Sequence, residues 1–129
     1  MQASGARPVL PEIIERHADS DAATLVLHLQ IPASLAWFDG HFPDDPILPA
    51  VVQIDWVTYF GADLGFDSRR FSGMDRLKFR SVITPETSLI LRLEAAGDAL
   101  HFSYESASGI HSKGAILFHG HDDNPDSGA

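Results

Sequence analysis

Cysteine is absent from this 129-residue chain, which excludes disulfides, thiol nucleophiles and zinc–thiolate sites. Basic residues are scarce as well. Nine Lys and Arg stand against 18 Asp and Glu, and the resulting net charge of -9 argues against nucleic acid as a partner. No apolar run approaches the ~20 residues of a membrane span, and Met1 to Arg7 lack the hydrophobic segment of a signal peptide, so no membrane insertion and a cytoplasmic address are expected. Neither repeats nor a second domain can be discerned. The length suits one domain, 1–129, burying roughly two-thirds of its unfolded surface, with a core over about 8–119 and flexible tails at 1–7 and 120–129.

What is present is concentrated between Trp37 and Phe60. Prolines 43, 46 and 49 each fix φ and push the preceding residue out of the α region, so the loop around His41 is stiff and non-helical. A helix can start at Pro49, and it carries Val51, Val52, Ile54, Trp56, Val57, Tyr59 and Phe60 around nearly all of its circumference, which predicts a buried helix. Asp55 sits inside it, fourteen residues after His41. Burial disfavours a charged carboxylate, so an acid at this position is a functional candidate.

The remaining pattern is one of strands. Leu25, Leu27, Leu29 and Ile31 alternate with Thr24, Val26, His28 and Gln30, and the same period runs through Ser88 to Glu94 and Leu100 to Glu105. Ala96-Gly97-Asp98 and Ser106-Ala107-Ser108-Gly109 supply hairpin turns, and Ile110 to His119 a final strand. With a first strand from about Pro8 to Arg16, the order is strand, strand, long helix and four strands. That order predicts an α+β fold, an antiparallel sheet of about six strands on one helix.

Gly40-His41-Phe42-Pro43, Pro46-Ile47-Leu48-Pro49 and Asp55 together resemble the signature of the hotdog-fold 3-hydroxyacyl-[acyl-carrier-protein] dehydratases. The wording from Ile47 to Trp56 is most similar to the branch found with aryl-polyene and related specialised fatty-acid pathways. Met74 to Arg80 with Val82-Ile83-Thr84-Pro85 resembles the strands that follow the family's helix. Two positions depart from the family pattern: Ala50 stands where it has glycine, and Tyr59 where it usually has glutamine.

The resemblance implies loss of water from a 3-hydroxyacyl thioester borne on the phosphopantetheine of an acyl carrier protein, giving the trans-2-enoyl product, in fatty-acid or polyene-type lipid synthesis. It implies a homodimer with the histidine from one subunit and the acid from the other; a higher oligomer or a pairing with another hotdog chain stays open. His41 suits the base that removes the C2 proton, and Asp55 the group that holds the proton or water at the C3 hydroxyl. Free backbone N–H groups at Ala50 and Val51, where the helix starts, can bind the developing enolate oxygen, so no metal or organic cofactor is needed. Trp37, Phe38, Phe42, Pro49, Tyr59 and Phe60 are the candidate walls of the acyl tunnel. Five of the nine basic residues, Arg69, Arg70, Arg76, Lys78 and Arg80, fall within twelve positions and could dock the acidic carrier, although alternation with Leu77 and Phe79 also fits a plain solvated strand face. His111, His119 and His121 with Asp122 and Asp123 lack a helical i, i+4 ligand pair, and no metal site is expected there; His17, His28 and His101 read as surface residues. A hotdog thioesterase and a catalytically silent partner subunit are the competing readings.

Overall fold

The computed structural model describes residues 9–35 and 47–120; the expectations placed on Trp37, Phe38, His41 and Phe42, and on the tails other than Gly120, lie outside these residues. In chain order the elements are β1 (Glu12–Asp19), β2 (Thr24–Gln30), α1 (Ala50–Gly61), β3 (Phe71–Phe79), β4 (Ser88–Ala96), β5 (Ala99–Ser106) and β6 (Gly109–Phe118). Short 3-10 turns at Ala62–Leu64 and Ser68–Arg70 link the helix to β3. The six strands form one antiparallel sheet in the order β1-β2-β4-β5-β6-β3. This is the hotdog arrangement, with α1 packed against one face of the sheet.

The period-2 pattern sets which face is buried. Leu25, Leu27 and Leu29 of β2, Leu89, Leu91 and Leu93 of β4, and Leu100, Phe102 and Tyr104 of β5 pack in one cluster against Val52, Trp56, Val57 and Phe60 of α1. Gly61 closes the helix onto the sheet: a Cβ there would overlap the side chain of Leu100, so only glycine allows the approach.

The first strand runs later than expected. Pro11 has no N–H to give to a ladder, so pairing begins at Glu12 opposite Gln30 and continues to Asp19 opposite Thr24, where Asp19 Oδ1 accepts the N–H groups of Asp21 (3.1 Å) and Ala22 (3.2 Å) and shapes the turn. Every residue of β1 is exposed, and its charged side chains protect the sheet's free edge. The opposite edge, β3, is irregular: its register with β6 shifts between Asp75 and Lys78, and Arg76 sits at φ 55°, a left-handed conformation uncommon outside glycine.

The fully buried helix expected from composition is not what forms. Val51 is 72% and Tyr59 56% exposed, and Asp55 between them is exposed too. Residues four apart share a helix face, so these three make one open stripe, and the sheet of a single chain covers the remaining circumference. Asp55 is therefore not the desolvated carboxyl that the sequence suggests.

Candidate active site

Pro49 caps α1 with φ -60° and ψ 149°, the extended conformation that a residue entering a helix adopts. Its carbonyl accepts the N–H groups of Val52 (3.1 Å) and Gln53 (3.2 Å), whereas those of Ala50 and Val51 form no hydrogen bond to another described residue. Among the described residues these two donors have no acceptor, and they lie at the positive end of the helix dipole. Ala50 stands in the first helical turn, so losing the family's glycine introduces no positive φ. Asp55 lies one turn further along the open stripe, roughly 6–8 Å down the axis.

Two clefts flank this stripe. The first, of about 230 Å³, opens at the start of α1 between Pro49, Ala50 and Gln53 on one side and Phe79, Arg80 and Val82 on the other. The second, of about 320 Å³, lies past Asp55 and is lined by Tyr59, Phe60, Ile13 and Leu27, with the ion pair between Arg16 and Asp63 (2.9 Å) at its edge. Pro49 lines the first, and Tyr59 and Phe60 line the second. Tyr59 meets Phe60 edge-on at 5.2 Å and gives Asp55 no hydrogen bond, whereas Phe60 is mostly core at 5% exposure.

The structure disperses the basic cluster. Arg69 is bound to Asp67 through Nη2 (2.8 Å) and Nε (3.0 Å), and this guanidinium holds the Asp67 carboxyl down at about 2. Arg70 Nη1 donates to the carbonyls of His119 and Gly120, both at 3.2 Å. Arg80 borders the first cleft, while Arg76 and Lys78 line a 490 Å³ groove on the sheet's outer face with His101, Ser103 and Lys113. Lys78 and Lys113 stand directly opposite in register, an arrangement of like charges that destabilises the strand pair. Lys113 is far from the others in sequence, so no composition window could have found it.

Sequence reasoning also passed over two buried polar groups. Gln53 is 3% exposed; its Nε2 donates to the Leu48 carbonyl (3.2 Å) and its Oε1 accepts from Ser112 Oγ (2.7 Å). His111 is 6% exposed, with Nδ1 3.0 Å from the Val82 carbonyl and 2.9 Å from Ser81 Oγ, and Nε2 2.7 Å from Ser106 Oγ. A carbonyl only accepts, so Nδ1 carries a proton and donates it to Val82 O, while Nε2 pairs with the Ser106 hydroxyl, which can donate or accept. Both ring nitrogens are engaged, and among the described residues no group of three His, Cys, Asp or Glu is placed to hold a metal. His17 and His101 are exposed, and Trp56 and Tyr104 lie in the core.

Comparison with known proteins decides the family. The model of the ApeI-like family, described as ApeI dehydratase, matches residues 16–115. The chain belongs to the ApeI-like dehydratase family. A chain of the dehydratase heterocomplex ApeI:P from Xenorhabdus doucetiae superposes with a TM-score of 0.77 at 31% identity, over 84% of this ApeI-like chain and 96% of the other. The 3-hydroxyacyl-[acyl-carrier-protein] dehydratase FabZ of Thermoanaerobacter sp. (strain X514) is 25% identical, covering 85% of each chain. FabZ of Sorangium cellulosum (strain So ce56) is 35% identical over 74 residues, and the chain spans about half the length of several such relatives.

Proposed function

We propose that this ApeI-like chain dehydrates a 3-hydroxyacyl thioester carried by an acyl carrier protein, in fatty-acid or polyene biosynthesis. The observation that carries the reading is the placement of Asp55 on an exposed helix stripe one turn beyond two unbonded N–H donors, in a chain whose preceding loop holds the Gly40-His41-Phe42-Pro43 motif.

His41 takes a proton from C2, and the electron pair it leaves forms the C2–C3 double bond as the C3–O bond breaks. Asp55, withdrawn from water once a second subunit covers its stripe, supplies the proton with which the hydroxyl departs as water, and the proton gained by His41 is afterwards returned through solvent. Negative charge gathered on the thioester oxygen is held by the Ala50 and Val51 N–H groups, which gain strength as the charge develops. Phosphopantetheine is the substrate's own arm, and these steps call for no other cofactor.

A second hotdog subunit covering the Val51–Asp55–Tyr59 stripe would bring its own His41 loop to Asp55, as a homodimer or as a heterodimer. The partnership within the ApeI:P heterocomplex lends the heterodimer specific support. Arg80 beside the first cleft, with Arg76, Lys78 and Lys113 in the groove formed by β3 and its neighbour β6, forms the face offered to an acidic carrier. A cytoplasmic location accompanies this reading, and no described helix is long and apolar enough to cross a membrane.

The test is to supply 3-hydroxyacyl-carrier substrates of several chain lengths, and the matching N-acetylcysteamine thioesters, over a range of salt, following products by mass spectrometry. Enoyl thioester should form, with the carrier-bound substrate alone losing KM advantage as salt rises. Free thiol and hydroxy acid would identify a thioesterase instead, and turnover only after adding another hotdog chain would identify a partner subunit.

A further inference from the structure

Gln53 points into the core side of α1, and each of its polar side-chain atoms, together with its own carbonyl, has a partner on a different part of the chain. Its Nε2 donates to Leu48 O, its Oε1 accepts from Ser112 on β6, and its main-chain carbonyl accepts from the Tyr104 hydroxyl on β5 (2.7 Å). Tyr104 is fully buried, and burial, reinforced by the Asp55 charge, pushes its phenol well above the usual range, so it remains a donor.

Stability alone does not call for this amide. Replacing both members of a buried polar pair by apolar groups of similar shape is often nearly neutral. What an aliphatic side chain cannot do is hold the Leu48 carbonyl. The Leu48 N–H already donates to Ile83 O (2.8 Å), so Gln53 fixes the other side of the residue and clamps the chain just ahead of Pro49. The orientation of the Pro49–Val51 turn follows from that clamp.

We propose that Gln53 is a positioning residue which, through Leu48 and with Ser112 as its anchor on β6, aims the Ala50 and Val51 N–H groups at the thioester oxygen. This rests on the proposed dehydratase function. Gln53 touches no reacting atom; its effect is on geometry, where a displacement of about 1 Å can lower a rate ~10²-fold.

Two variants test it, each assayed for turnover and by ¹⁵N–¹H spectra of the free protein. Gln53→Leu/Ser112→Ala removes the amide and its anchor together. It leaves the Leu48 carbonyl without its donor, so it should keep its fold with a melting temperature lowered by several degrees, lower kcat at least about ten-fold at a temperature where it is fully folded with KM within two-fold, and shift the Ala50 and Val51 amide resonances. Gln53→Glu, whose buried carboxyl has a raised pKa, can donate to Leu48 O while protonated and loses that donation on ionising, so its kcat relative to wild type should fall as pH rises through that ionisation. An unchanged kcat in the folded double variant, or a Gln53→Glu profile parallel to wild type at every pH, overturns the role. Should the wild-type protein form no enoyl product, the dehydratase reading itself fails; the spectra then still decide, because unmoved Ala50 and Val51 amides in the folded double variant would overturn the clamp.

Discussion

At the scale of single residues, His41 and Asp55 carry the proposed chemistry, and their contributions are separable from folding. Asp55 is exposed and accepts no described hydrogen bond through its carboxylate, so Asp55→Asn removes a proton donor without opening a cavity or orphaning a partner. We expect Asp55→Asn and His41→Ala each to lower kcat at least ~10²-fold, the usual contribution of a positioned acid or base, with an unchanged circular-dichroism spectrum. Near-wild-type turnover in either variant would remove that residue from the mechanism. Both candidates were picked out from the sequence, because an acid in an apolar helix and a histidine among three prolines each break a local pattern. Gln53 was not, since a lone amide on an apolar helix gives no hint that Leu48, Ser112 and Tyr104 will converge on it.

At the scale of elements, Gly61 lets the helix approach Leu100 of the sheet closely. In an isolated helix, glycine to alanine stabilises by roughly 0.5–1 kcal/mol through helix propensity. Here the added methyl would overlap a methyl of Leu100, whose side chain is fully buried and would have to repack among core neighbours. Gly61→Ala should therefore destabilise, by about 1–3 kcal/mol as for other overpacked cores, and thermal unfolding would show it as a Tm lower by several degrees. A raised Tm would mean that the helix shifts along the sheet at little cost. The strand edges follow a similar local logic: charge guards β1, and a bulge with a left-handed Arg76 bends β3.

At the scale of the whole molecule, the open stripe Val51–Asp55–Tyr59 is the feature a single chain leaves unfinished. If a second copy covers it and completes each site with its own His41, mixing inactive His41→Ala and Asp55→Asn proteins should restore activity. One of the two sites in a mixed dimer then has both wild-type groups. With random exchange at equal concentrations, about a quarter of the wild-type activity is expected, since half the dimers are mixed and each has one intact site. No recovery after exchange verified by mass spectrometry would put both groups of a site in the same chain.

The sequence by itself determined the element order, the inward face of the central strands, the start of the helix and the positions of the candidate acid and base. These follow from short-range physics: a period of two in the strands, proline's fixed φ, and the energetic penalty of a charge among apolar neighbours. The tertiary structure decided how much of each face is covered. It left Asp55 open where composition predicted burial, because a sheet of this width reaches around only part of α1. It paired Arg69 with Asp67 and Arg70 with the carbonyls of His119 and Gly120, and it placed Lys113 opposite Lys78. Periodicity tells which residues share a face, but register and packing between distant segments settle what that face meets.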